Sequence, residues 1–519
     1  MENTTGTDVT RDRRWLGLFA VLAAMIMNLL DATVVNVAAP SIQADLGGSE
    51  ASLQWIAASY TLALAVGLLT GGRLGDMYGR RRLMLLGVAG FLVASVACAL
   101  AWSPGVLVSA RVAQGLFGAV MIPQAFGLIR DLFPPAEIGK AFGALGPVIG
   151  LSTIAGPVVA GVLTDADIFG TGWRMVFFIN LPLAVFALLA GRAALPRSTR
   201  SRGMRLDGTG ALLGGVGMFL LVFPLVQGRE LGWPAWLLAV AAGSVAALVA
   251  FGVRQARRSR AGDTPLVELS VLRKRSYTSG IAFTVVFFGS IVGFSLTTGL
   301  LLQLGLGDTP VEASLTMAPW AVGAFFGSGF GATMMGRMGR HILHLGLGLM
   351  TAGLVWVYVV LDGADAGLGG WDLALPLLVY GFGMGMIFVP LFDIIMGEIR
   401  DHEVGSAAGL LESFQQLGAS LGVAALGTVF FSAVGDRPVV GDFLDASRHV
   451  TLIALALTVG AFALGFLLPR RAREAAHGAP EPGPESGAES GAGSGAEAGS
   501  EADRGRERAD AEPPVAAGV

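Results

Sequence analysis

Residues 14–39 read RWLGLFAVLAAMIMNLLDATVVNVAA. One arginine opens the stretch, one aspartate stands inside it at Asp31, and the rest is apolar, small or uncharged. A helix of this length reaches about 39 Å, more than the roughly 30 Å of hydrocarbon in a bilayer. The segment therefore reads as a membrane-crossing helix that carries a carboxylate through an apolar medium. Further runs at 53–74, 83–101, 106–128, 140–163 and 175–192 complete a set of six. A pair follows at 207–227 and 235–254, and then a second six at 276–302, 311–335, 341–361, 372–396, 405–433 and 450–468.

The composition agrees with this reading. Of 519 residues 53% are hydrophobic and 14% charged, and the mean hydropathy is +0.67. Soluble domains carry about 25% charged residues, so the bulk of the chain lacks the means to cover soluble surfaces. Cys98 has no intrachain partner, and it reads as a small buried hydrophobe. The segment 474–519 is rich in Gly, Ala, Glu, Pro and Ser, has ten acids against three arginines, and reads as a disordered acidic tail.

Cytoplasmic loops carry the excess of Lys and Arg. With the N-terminus inside, 27 basic residues fall on inner segments, and only Arg174, Arg229, Arg437 and Arg448 fall outside. That asymmetry supports fourteen spans with both termini cytoplasmic. The organisation expected is a cytoplasmic N-terminus (1–13), a six-helix lobe (14–192), two inserted transmembrane helices (207–254), a basic cytoplasmic linker (255–275), a second six-helix lobe (276–468) and the tail. Within the linker, 264–275 reads as a short amphipathic piece lying along the inner surface. The inner loop GGRLGDMYGRRR (71–82) is echoed by GATMMGRMGR (331–340), Gly79-Arg80 matching Gly339-Arg340 at an offset of 260 residues. Repeated halves are a transporter signature.

A charge near the bilayer centre costs about 2.5–3.5 kcal/mol even on the lenient insertion scale and marks a functional site by default. Asp31 and Arg111 both fall in the outer half of their helices, so they are placed to meet. Two readings stand: a carboxylate whose protonation is switched by substrate or water, or a static pair locking two helices. An arginine does not deprotonate, so Arg111 is the supporting partner. Glu412, in AGLLESFQQLGASLGVA (408–424) beside Ser413, Gln415 and Gln416, is a second proton site, a contact for cationic substrates or an interfacial carboxylate. Asp393 reads as interfacial. In GALGPVIGLSTIAGPVVAG (143–161), glycines permit close helix contact and Pro157 removes a backbone hydrogen bond, which suits a hinge. In 71–82 the aspartate Asp76, set among arginines, is placed to latch one conformation on a helix N-terminus.

GRLGDMYGRR (72–81), RVAQGLFGA (111–119), the Gly156-Pro157-x-x-Ala-Gly161 run and LDATVVNVAAP (30–40) together resemble the major facilitator superfamily. The fourteen spans, the LDATVVN motif, GWRMVFFINLP (172–182) and LLLQLGLGDTPVEASLTMAP (300–319) resemble its 14-helix drug:proton antiporter branch. The resemblance spans about residues 14–470. It implies an all-α integral membrane fold of two six-helix lobes plus two inserted helices, working by alternating access. It implies proton coupling at Asp31 with Arg111, an inner conformational latch at Asp76 and Arg80 with Gly72 and Gly79, and an antiporter hinge at Gly156, Pro157 and Gly161. The sequence departs from the pattern at Ser152, Ala160 and Gly336, the last standing where Asp76 would align.

The expected function is export of hydrophobic drugs or antibiotics in exchange for protons, from a multi-pass position in the cell membrane. The alternative is a coupled or uncoupled transporter of a single endogenous metabolite. Trp55, Met121, Gln303 and Trp320 are candidate cavity residues, with Phe287, Phe294 and Phe326 beside them. No enzyme is indicated. There is no G-x-x-x-x-G-K-[ST] loop for ATP and no H-E-x-x-H zinc motif, and His341 with His344 lacks a third ligand. No cofactor, metal or nucleic-acid partner is expected. The expected partners are a lipophilic small molecule, protons and the lipid bilayer, and a monomer suffices.

Overall fold

The computed structural model describes residues 5–134, 137, 156, 158–167, 170–196, 207–261, 263, 265–267, 269–364, 368–399, 404–434 and 439–469. Among these residues there is no strand. The long helices are α1 (Thr5–Leu46), α2 (Glu50–Tyr78), α3 (Arg80–Ala99), α4 (Pro104–Leu132), α5 (Asn180–Ala194), α6 (Gly208–Gln227), α7 (Ala235–Arg260), α8 (Arg275–Leu300), α9 (Pro310–Met338), α10 (His341–Asp362), α11 (Ala374–Met396), α12 (Val404–Ala433) and α13 (Val440–Gly465). Residues 158–165 are also helical.

Several boundaries follow from local chemistry. Ser103 caps α4 through the Val106 N–H at 3.4 Å, and Pro104, which lacks an N–H to satisfy, occupies the first helical position. Thr309 and Glu312 form a reciprocal capping box around Pro310 at the start of α9. Gly79 joins α2 to α3 at φ +96°, and Gly339 joins α9 to α10 at φ +53°, backbone that an L side chain rarely adopts. The two junctions stand at the offset of 260 residues seen in the sequence.

Among the described residues twelve helices are long and apolar enough to cross a membrane. Two of the fourteen expected runs are missing from that set. Run 140–163 lies almost wholly outside the described residues. Run 311–335 forms α9, a helix of 29 residues whose apolar content is diluted by five glycines and by Ser, Thr, Pro and Trp.

Glycine sets how closely the helices approach. A Cβ on Gly67 would lie 2.5 Å from the Ala119 side chain, and one on Gly71 2.1 Å from the Ala119 carbonyl of α4. At the same offset of 260, Gly327 and Gly331 of α9 face the Phe382 and Met386 carbonyls of α11 at 2.1 and 2.5 Å. A third seam joins α8 to α12 through Gly289, Gly293, Gly418 and Gly422. Such small-residue stripes let backbones touch where lipid supplies no hydrophobic driving force.

Between α1–α5 and α8–α13 the main packing is α2 along α12, and hydrogen bonds cross between the halves. Ser413 Oγ donates to the Ala65 carbonyl, Ser420 Oγ to Ala58 at 3.2 Å, and Gln303 Nε2 to Val37 at 2.9 Å. The Val311 N–H donates to Asp165 at 3.1 Å, and Gly161 touches the Pro310 carbonyl. α6 packs on α7, α2 and α12. Its cap, Asp207, is buried and accepts from Arg254, Gln255 and the Gly210 N–H. Gln255 in turn accepts from the Leu266 N–H, and Arg73 Nη2 donates to the Pro265 carbonyl. The amphipathic piece therefore buries Leu266, Val267 and Val271.

Candidate functional site

The apolar core of α1–α5 divides into two clusters, one around Met27, Phe91 and Leu128, the other around Val34, Trp173 and Phe177. Asp31 lies where they meet. It is fully buried, as are Arg111, Gln114 and Asn180. Burial of this kind is tolerated only when every charge and amide is paired.

The pairing is dense. Arg111 Nη1 donates to Asp31 Oδ2, while Asp31 Oδ1 accepts from Gln114 Nε2 at 2.7 Å and Asn180 Nδ2 at 3.1 Å. Arg111 also donates to Gln114 Oε1 at 2.8 Å and, through Nε, to the Ile56 carbonyl at 3.3 Å. Ser95 Oγ accepts from both amides at 2.8 and 3.2 Å. The Cys98 thiol donates to Gln114 Oε1 at 3.6 Å. The Arg111 guanidinium lies 4.2 Å above the Tyr60 ring, a cation–π contact. The Tyr60 hydroxyl donates to Asn28 Oδ1. Five helices thus meet on one carboxylate: α1 supplies it, α4 and α5 donate to it, and α2 and α3 hold the donors.

This arrangement ties protonation to geometry. Three of the carboxylate's roughly four acceptor sites are taken, one on Oδ2 and two on Oδ1. A proton would therefore add at the remaining site on Oδ2 and remove the negative charge that Arg111, Gln114 and Asn180 face.

Arg111 is among the sequence-derived site residues that the structure brings to Asp31; Glu412 lies elsewhere, on α12. Glu412 Oε1 accepts from Gln416 Nε2 at 2.9 Å, one residue before the Ser413 contact to α2. Gly156 lies against Thr33 of α1, with space too small for a Cβ, and Gly161 packs on α9. Pro157 lies outside the described residues. At the expected latch, Arg80 Nη1 pairs with Asp131 Oδ1 at 3.4 Å, and Gly72 faces Pro123 of α4. Asp76 belongs to α2, but its side chain is outside the described part of the structure.

The four expected cavity residues do not share one cavity among the described residues. Met121 is buried against Gly87 of α3, and Trp320 packs on Phe294, Tyr380 and the Met384 sulfur. Gln303 is spent on the Val37 carbonyl, and Trp55 stacks on Phe219 of α6. Met and aromatic side chains on membrane helices serve packing as readily as they line a cavity.

Sequence reasoning assigned no role to Gln114, Asn180, Ser95 or Tyr60. The signal was present for two of them. Gln114 follows Arg111 by three residues and so shares its helix face. Asn180 is a lone amide in VFFINLP, where an unpaired amide would be costly.

Residues 21–423 match the Major Facilitator Superfamily. The chain belongs to that superfamily. Among Major Facilitator proteins it is similar to a probable actinorhodin transporter of Streptomyces coelicolor, at 46% identity over 86% of this chain and 77% of that protein. It is 38% identical to the tetracenomycin C resistance and export protein of Streptomyces glaucescens, over 82% of this chain and 78% of the relative. The puromycin resistance protein of Streptomyces alboniger is 36% identical, over 88% and 90%. In fold it resembles a solved peptide transporter of the POT family, with a TM-score of 0.64 at 13% identity over 88% of this chain and 96% of that one. The protein is therefore a multi-pass membrane transporter of the Major Facilitator type, related to antibiotic exporters.

Proposed function

We propose that this Major Facilitator protein exports lipophilic drugs or antibiotics across the cell membrane in exchange for protons, with Asp31 as the proton carrier. The observation that carries the reading is the buried Asp31–Arg111 pair, whose carboxylate accepts from Arg111, Gln114 and Asn180. A proton arriving at Asp31 neutralises the carboxylate and frees Arg111, which cannot lose its own charge. Donors left facing a neutral carboxyl then favour a different packing of α1 against α4 and α5. Glu412, on the α2–α12 seam, is the second carboxylate of the path. The relatives named above supply the substrate class.

The reading includes fourteen spans with both termini in the cytoplasm and lobes at 14–192 and 276–468 flanking the inserted pair 207–254. Residues 255–275 form a basic cytoplasmic linker. Rocking of the lobes would turn on Gly156, Pro157 and Gly161 and be held at the inner face by Asp76 and Arg80, with Gly72 and Gly79 setting the loop. No bound cofactor is needed, because each inward proton contributes about 2.3 kcal/mol per 100 mV.

The test uses energised everted vesicles. Adding a lipophilic drug should release protons from the acidified lumen in proportion to protein content and leave protein-free vesicles silent. Drug entry that stops at equal concentrations, without proton release, would overturn antiport and favour an uncoupled carrier.

A further inference from the structure

A cavity of about 660 Å³ lies between α2, α4 and α6, on the opposite side of α2 and α4 from the charge cluster. Its walls are apolar, formed by Leu62 and Val66 of α2, Val112 of α4 and Val216 of α6. The end nearest Glu50 is aromatic. Trp55 stacks on Phe219 with ring centres 5.9 Å apart and planes at 25°, and Phe223 closes the group at 6.3 Å from Trp55.

One polar atom stands out in this wall. Ser59 is 3% exposed, and its hydroxyl has no hydrogen-bond partner. Helical hydroxyls usually satisfy themselves on a carbonyl one turn back, and nearby ones do so: Ser109 donates to Gly105 at 2.8 Å and Thr61 to Ala58 at 3.0 Å. Ser59 instead belongs to the cavity wall with its hydroxyl unpaired and almost without accessible surface, a costly state that a turn of the side chain toward an acceptor in the cavity relieves. The next residue, Tyr60, lies beneath Arg111. Adjacent positions on one helix thus face the cavity and the charge cluster.

The geometry points to a second binding site, one that takes a flat, apolar, aromatic molecule bearing a carbonyl or phenol oxygen. We infer that such a molecule enters from the bilayer, lays its ring against Trp55 and Phe219, and pairs its oxygen with Ser59. The volume suits a drug-sized ligand, for which pockets run about 300–1,000 Å³. A phospholipid chain fits less well. Ser59 lies nine residues into α2, about 14 Å from its first turn, at a depth where an acyl chain has no oxygen to offer. The inference builds on the export reading by naming a class of cargo and a lateral way in, but the binding it describes needs no proton gradient.

The experiment is equilibrium binding of 1,8-dihydroxyanthraquinone to the full-length protein in nanodiscs of dioleoyl phosphatidylcholine and phosphatidylglycerol, with anthracene as the oxygen-free comparison. Ser59→Ala should weaken the anthraquinone up to about tenfold, the reach of one neutral hydrogen bond, and leave anthracene unchanged. Because the lost hydroxyl pairs with nothing in the protein, thermal stability should hold or rise. Val112→Trp and Val216→Trp, both at half-exposed positions on the rim, should weaken both probes by tenfold or more. Unchanged affinity in all three variants overturns the site. Equal loss of both probes in Ser59→Ala overturns the hydroxyl's role. The component of tryptophan quenching by dibrominated lipid that Trp55→Phe removes, if the anthraquinone cannot relieve it, overturns the occupant in favour of lipid. Proton release in everted vesicles tests the export reading separately, so either reading can fail while the other stands.

Discussion

Asp31→Asn is expected to end drug-triggered proton release and to bring the drug gradient to unity. At 100 mV one coupled proton supplies about 2.3 kcal/mol, and since 1.4 kcal/mol is a factor of ten, the native gradient lost is roughly fifty-fold per proton. The substitution preserves shape but places an NH₂ where one oxygen accepts from Arg111 or from Gln114 and Asn180. It also removes the counter-charge of a guanidinium that is 1% exposed. Breaking a buried pair from one side costs about 3–5 kcal/mol, so the thermal midpoint should fall with the activity. The assay is therefore run below the variant's own midpoint, with the folded fraction measured on the same preparation. Proton release that persists in folded Asp31→Asn removes Asp31 from the path and moves the carrier to Glu412.

Gly422→Leu is expected to prevent assembly of the α8–α12 pair. A Cβ at Gly422 would lie 2.0 Å from the Gly289 carbonyl oxygen and 2.7 Å from its Cα, all backbone that no rotamer change can move. Even alanine, which gains about 1 kcal/mol of helix propensity over glycine, must push the helices apart. Overpacking costs about 1–3 kcal/mol for a few methylenes, and leucine adds more bulk than that. The protein should lose its monodisperse peak in detergent. Gly460→Ala in α13 serves as the opposite case, because nothing lies within 4 Å of its Cβ position; there the propensity gain stands alone and the midpoint should hold or rise. If Gly422→Leu behaves like Gly460→Ala, the seam is not close-packed.

Much of this was legible in the sequence because the bilayer simplifies the code. Length and hydropathy alone anticipated the helices that lie among the described residues, and the cost of a charge in hydrocarbon singled out Asp31 and Arg111 before any contact was seen. Motif geometry was legible where backbone demanded it, as at Gly79 and Gly339. The donors were not. Gln114 and Asn180 are 66 residues apart in sequence, and only the packing of α4 and α5 on α1 and α3 shows that both reach one carboxylate. Lining residues were the least legible. Trp55 and Trp320 carry the same pattern signal, yet one faces the cavity beside α6 and the other is packed among Phe294 and Tyr380. Inward and outward apolar surfaces look alike in sequence when the surroundings are also apolar.

Cys98 gives the cluster a property of practical use. It is the one cysteine in 519 residues, it has no accessible surface, and its sulfur sits on the same amide oxygen that Arg111 holds. A thiol reagent reaches it only when Gln114 lets go and the helices part. The native protein, with no residue replaced, is therefore a single-cysteine reporter, and its alkylation rate becomes a clock for how often the Asp31 cluster opens.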